Sequence, residues 1–196
     1  MKENLITDID GVLENLIPNL NDFYNNHYGT NFKLEDYIYY DLEKIWGGSK
    51  RRAVEIVTEF YKSPRFDEIN PIKFSQEAIK ILSREYNIIA VTSRPEFTKE
   101  RTEKRINQIY PAIQEILFTG DYRKKFTDMS KLDICLKKGA KIIVDDHPLI
   151  VKECAENGLV SLLFGEVVYS HNHGNLNGVI PVKNWKEVLN YLGIKN

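Results

Sequence analysis

The apolar positions of this chain follow two alternating rhythms. Five short runs are apolar almost throughout: "NLIT" (4–7), "NIIAVT" (87–92), "EILFT" (115–119), "KIIVDD" (141–146) and "LVSLLF" (159–164). Strands without polar alternation are those covered on both faces, as in a parallel sheet. Between them lie four segments that read as helices: "FSQEAIKILSREY" (74–86), "FTKERTEKRINQIY" (97–110), "MSKLDICLKKG" (129–139) and "HPLIVKECAENG" (147–158). Residues 97–110 and 129–139 repeat apolar positions every three or four residues, and "KKG" and "ENG" supply glycine stops. Pro148 suits the first turn of its helix. The alternation predicts an α/β protein, a parallel sheet with helices on both faces.

Residues 14–72 break the rhythm. One helix should carry the chain from the first strand to the second, yet about 60 residues intervene, rich in Tyr, Asn and charge. Helical stretches at 15–28 and 50–62 flank Gly47 and Gly48, and "SPRFDEINPI" (63–72) closes the segment with two prolines. The pattern predicts a small helical cap at 14–72, inserted into a core made of 1–13 and 73–196.

Composition removes some functions. At 42% hydrophobic and 28% charged residues, with net charge -1, the chain is an ordinary globular protein without a basic stripe. That weighs against a nucleic-acid polymer or an anionic membrane as partner, while leaving room for a small anionic substrate. No run is long enough to span a bilayer, and the N-terminus lacks a signal-peptide pattern. Cys135 and Cys154 have no metal-type spacing and read as packed thiols of a reducing, cytoplasmic compartment.

The chemistry gathers at the ends of the predicted strands, where open parallel sheets collect their active groups. The first strand delivers Asp8 and Asp10, the second Thr92 and Ser93, and the fourth Asp145 and Asp146. Lys131 opens the helix that enters the fourth strand and is preferred over Lys124 and Lys125 for that reason. Taken singly, each feature has a plainer reading: Asp8 as a helix cap, Thr92-Ser93 as a turn, Lys131 as a solvated lysine, Asp145-Asp146 as a helix N-terminus. Together they bring several like charges into one place, which needs a cation. Hard oxygen donors suit Mg²⁺, and Mg²⁺ with Lys131 and a Thr92 or Ser93 hydroxyl suits a phosphate. Asp8 is then the candidate nucleophile and Asp10 the candidate acid and base, with Gly11 allowing the tight turn.

"DIDGV" (8–12), "VTS" (91–93), Lys131 and "IIVDD" (142–146) resemble, in order and spacing, the four motifs of the haloacid dehalogenase superfamily of phosphatases. "DIDGVLEN", "FYKSPRFDEINPI" (60–72), "VTSRP" with Arg94 inserted before the proline, and "VKNWKEVLNYL" (182–192) further resemble its 5'(3')-deoxyribonucleotidases. The resemblance implies a Rossmann-like core and Mg²⁺-dependent hydrolysis of nucleoside monophosphates through an aspartyl-phosphate. It implies Asp8 as nucleophile, Asp10 as acid/base whose backbone carbonyl meets the metal, and Thr92, Ser93 and Lys131 at the phosphate. Asp145 or Asp146, or both, completes the metal site. The rival readings are a phosphatase of other small molecules, such as sugar phosphates, and a binding protein on the same fold. A homodimer is compatible with all of these.

Other features are weaker. Tyr37, Tyr39, Tyr40 and Trp46 in "DYIYYDLEKIW" (36–46) suit base stacking or cap packing equally. Tyr40, Trp46 and Arg94 are the expected specificity residues. His171 and His173 in "SHNHGN" (170–175) have no third ligand and read as a polar loop.

Overall fold

The computed structural model describes residues 2–119, 129–165 and 176–194. Lys124, Lys125, His171 and His173 lie outside them. Five strands fall on the five apolar runs: β1 (Glu3–Thr7), β2 (Tyr86–Thr92), β3 (Glu115–Phe118), β4 (Ile142–Asp145) and β5 (Val160–Phe164). A sixth, β6 (Val179–Val182), extends the edge. All pairings are parallel, in the order β3-β2-β1-β4-β5-β6. The chain therefore fills one half of the sheet outward from β1, returns, and fills the other half outward from β4. The reversal leaves a crevice above the carboxyl ends of β1 and β4.

The uniform apolarity of the runs is explained by their two covered faces. Leu5, Ile88 and Ile142 point to one side and pack with Ala78, Ile79 and Leu82 of α4 (Ser75–Leu82), Ile106 of α5 (Lys99–Ile109), and Trp185, Val188 and Leu189 of α8 (Trp185–Tyr191). Their neighbours Ile6, Ile89 and Ile143 point to the other side, onto Ile134 and Cys135 of α6 (Lys131–Lys137) and Cys154 of α7 (Pro148–Glu156). Both cysteines are free and buried. No helix among the described residues is long and apolar enough to cross a membrane.

The segment between β1 and α4 holds α1 (Leu16–Tyr28), the short α2 (Glu43–Trp46) and α3 (Lys50–Lys62), with 3₁₀ turns at Leu34–Asp36 and Pro64–Glu68. It buries a cluster of its own: Leu20, Phe60, Tyr61, Phe66 and Ile69. The two crossing strands of chain meet where Glu14 pairs in antiparallel fashion with Pro71.

The loop after β1 is fixed from the far end of the chain. Trp185, fully buried, packs on Phe164 with ring centroids 5.3 Å apart and donates its indole N–H to the Val12 carbonyl at 2.8 Å. Trp185→Ala leaves a cavity and frees that carbonyl. We expect it to cost about 3–5 kcal/mol in urea unfolding, against under 1 kcal/mol for an exposed aromatic such as Tyr191→Ala.

Candidate active site

Asp8 follows β1 directly, its backbone N–H donating to the Val144 carbonyl of β4 at 2.9 Å. Its carboxylate therefore lies at the reversal point, beside Asp145, the last residue of β4. Ser130 caps α6: its hydroxyl accepts from the Asp133 N–H at 3.0 Å, and Asp133 accepts from the Ser130 N–H at 2.9 Å. This reciprocal box fixes where α6 begins. Lys131, at its first position, is thereby aimed inward. Its Nζ sits 2.9 Å from Asp8 Oδ1 and 2.6 Å from Asp145 Oδ2.

The electrostatics are unbalanced. Asp8, Asp145 and Asp146 each bring a carboxylate oxygen to within 4.8 Å of the others, and Lys131 is the ammonium placed among them. Burial would depress the Lys131 pKa, but Asp145 and Asp8 override it and hold the ammonium charged. Asp8 moves the other way. Burial pushes it up to about 7, against the pull of Lys131, with Asp145 and Asp10 adding to the rise. Asp146 is also raised well above an ordinary aspartate, by burial and then by Asp8 and Asp145. One lysine does not neutralise three crowded carboxylates.

An all-oxygen donor set in this state fits a hard divalent cation. Asp145 has both oxygens engaged, one by Lys131 and the other by the His147 N–H at 2.8 Å. Asp146 faces the cavity beside Asp8. A Cβ on Gly11, whose φ is +78°, would lie 2.2 Å from Asp146 Oδ2. The turn after Asp10 thus needs glycine twice over: for its left-handed backbone and for the approach of Asp146.

Other expected residues are placed less simply. Thr92 is fully buried and its hydroxyl accepts the Arg94 N–H at 3.1 Å, so it shapes the turn. Ser93 lines the cavity, sharing a 2.9 Å hydrogen bond with Thr119. The carboxylate of Asp10 stands apart from the acidic cluster, in the fork of Arg94, with Nη2–Oδ1 at 2.6 Å and Nε–Oδ2 at 2.9 Å. Arg94 lines the same cavity, with its guanidinium paired to Asp10 and Glu14.

The cavity above these groups measures about 260 Å³. Its floor is polar, with Asp8, Asp10, Ser93, Lys131 and Asp146. Its roof, drawn from the segment between β1 and α4, is apolar and aromatic: Leu16, Ile17, Leu20, Leu42, Val57, Tyr39, Tyr40 and Tyr61. Tyr40 donates its hydroxyl to the Asp146 carbonyl and lays its ring 4.2 Å from that of His147. Trp46 packs among the aromatics of its own segment. It stacks on Tyr24 at 4.3 Å, gives its N–H to the Tyr37 hydroxyl at 3.1 Å, and lies outside the cavity lining. Two cation-bearing neighbours of the site went unseen in the sequence, Arg101 and Arg105, as did Glu14. The signal for Glu14 was an acid set inside an apolar run, "GVLENLI".

A family model described as "5' nucleotidase, deoxy (Pyrimidine), cytosolic type C protein" matches residues 2–195. The chain belongs to this family. No curated protein matches it. Solved structures share the fold at low identity. A haloacid dehalogenase-like family hydrolase from Streptococcus pneumoniae is 16% identical, with TM-score 0.71 over 97% of this chain and 98% of that one. A "predicted phosphatase" from Clostridium acetobutylicum is 13% identical, with TM-score 0.70 over 98% of each chain. A hydrolase from Pseudomonas syringae is 14% identical, with TM-score 0.63 over 98% of each. Membership of this family makes the chain a phosphatase, and the solved structures show that it shares its fold with a haloacid dehalogenase-like hydrolase.

The crowding of carboxylates generates a prediction. At about a hundred times its dissociation constant, a divalent cation adds about 2.7 kcal/mol of stability, read as a rise in Tm. Asp146→Asn removes one ligand and shrinks the rise. An unchanged wild-type Tm across a Mg²⁺ titration would argue against the cluster as a metal site.

Proposed function

We propose that this phosphatase is a Mg²⁺-dependent nucleotidase, releasing phosphate from nucleoside monophosphates through an aspartyl-phosphate on Asp8. The observation that carries the reading is the division of one cavity into a charged floor and an apolar, aromatic roof. A phosphate needs the first, and a nucleoside needs the second. A bare sugar phosphate would leave its hydroxyls against Leu16, Ile17, Leu20 and Val57 without partners.

In the first step an Asp8 oxygen attacks phosphorus, the P–O bond to the nucleoside breaks, and the leaving oxygen takes a proton from Asp10. In the second, water attacks the phosphorus of the acyl phosphate, Asp10 accepts the water's proton, and Asp8 leaves as a carboxylate. Lys131 holds negative charge beside Asp8 throughout, and the Ser93 hydroxyl is available to a phosphate oxygen. Bound to Asp8, Asp145 or Asp146, Mg²⁺ neutralises phosphate and carboxylate charge, which favours the ionised nucleophile that burial alone opposes. Residues 14–72 act as a cap over the core on this reading. A cytoplasmic location agrees with the family description.

Base stacking is worth about 1–3 kcal/mol, roughly five- to 150-fold in kcat/KM. In a panel with Mg²⁺, nucleoside 5'- and 3'-monophosphates should exceed sugar phosphates by at least the lower figure. Equal or better turnover of sugar phosphates would overturn the nucleotidase assignment while leaving the phosphatase intact.

A further inference from the structure

The side chain of Arg94 is entirely shielded from solvent, as is that of Glu14. Nη2 of Arg94 donates to both Asp10 Oδ1, at 2.6 Å, and Glu14 Oε2, at 2.7 Å. The other Glu14 oxygen accepts from Nε of Arg105. Arg105 in turn donates Nη1 to the Asp67 carbonyl at 2.6 Å and Nη2 to the Ile69 carbonyl. Four side chains of alternating charge thus run from the acid/base carboxylate to the segment by which the chain returns from the inserted helices. Phe66 of that segment lies with its ring centroid 4.9 Å from the guanidinium carbon of Arg94.

Buried charges are costly unless each finds a partner, and along this chain each does. Glu14 and Arg105 would suffice to neutralise one another. Arg94 and Asp10 are the added pair, and their geometry is specific. Nε and Nη2 contact Asp10 three times, twice at Oδ1 and once at Oδ2. A carboxylate has about four lone-pair sites, so three contacts fix both torsions of Asp10 and leave one lone pair, on Oδ2, for a proton. The Asp10 side chain remains 18% exposed, on the cavity side.

We propose that Arg94 is a positioning residue for Asp10, and that Glu14 and Arg105 tie that position to the segment returning from the cap. The proposal rests on Asp10 being the acid that protonates the leaving oxygen. Arg94 touches no substrate on this account. It acts by holding Asp10 where the P–O bond breaks.

The test exploits leaving-group basicity. A nucleoside alkoxide needs a proton to depart, whereas 4-nitrophenolate leaves without one. The constant to compare is kcat/KM, because it reports events through P–O cleavage and not the later hydrolysis. It is measured on a nucleoside monophosphate and on 4-nitrophenyl phosphate for wild type, Asp10→Asn, Arg94→Met and Arg94→Lys. Asp10→Asn should lose about 10²–10⁴-fold on the nucleotide and far less on the aryl ester. Arg94→Met should lose at least tenfold more on the nucleotide than on the aryl ester. Arg94→Lys keeps a charge beside Glu14 but lacks the fork, and should fall between wild type and Arg94→Met. Retained aryl esterase activity certifies the folded site.

Equal losses on the two substrates in Arg94→Lys, including complete loss on both, overturn the positioning role. If Asp10→Asn itself shows no dependence on the leaving group, the acid assignment fails first and the proposal with it. The two failures are thereby told apart.

Discussion

Three carboxylates at the carboxyl end of a buried sheet repel one another, and a cation among them offsets that repulsion. Lys131 supplies that cation within the protein, 2.9 Å from Asp8 and 2.6 Å from Asp145. Much of the architecture serves this contact. The reversal in strand order sets the ends of β1 and β4 side by side. The Ser130–Asp133 box starts α6 at the residue that must reach inward. Trp185, more than 170 positions away, pins the loop on which Asp10 sits. The lysine is nevertheless outnumbered, and the residual repulsion is of the kind a divalent cation relieves.

The parts legible in the sequence were those governed by local pattern. Five strands were readable because burial on both faces leaves no alternation, and the helices because of their spacing and stops. Asp8, Asp10, Asp145 and Asp146 stood at strand ends, which a parallel sheet gathers in one place, and Lys131 stood at the start of the helix that enters the fourth strand. The rest depended on which way a side chain turns. Trp46 and Tyr40 are both aromatics of the same short stretch, yet one stacks on Tyr24 within the inserted helices and the other reaches the Asp146 carbonyl. Nothing in the composition of "DYIYYDLEKIW" distinguishes them. Arg94 was visible as an insertion before Pro95, but its partner Glu14 was hidden in an apolar run, and Arg105 in an ordinary amphipathic helix.

The site divides its tasks between elements of different rigidity. The core sheet fixes the charged floor, where sub-ångström placement matters for bond-making. The segment between β1 and α4 supplies the apolar roof, which on the proposed reading selects the phosphate ester that enters. The two halves communicate through a small number of contacts: Tyr40 with the loop carrying Asp146, and the arginines that clasp the returning segment.

The central claim is that Asp8 becomes covalently phosphorylated. The most direct measurement is acid quenching of the enzyme during turnover with Mg²⁺, followed by peptide mass mapping at low pH. The account predicts one added phosphoryl group, located on the peptide containing Asp8 and absent from Asp8→Asn. Continued turnover with no covalent phosphoryl, or with the group on another residue, would contradict it.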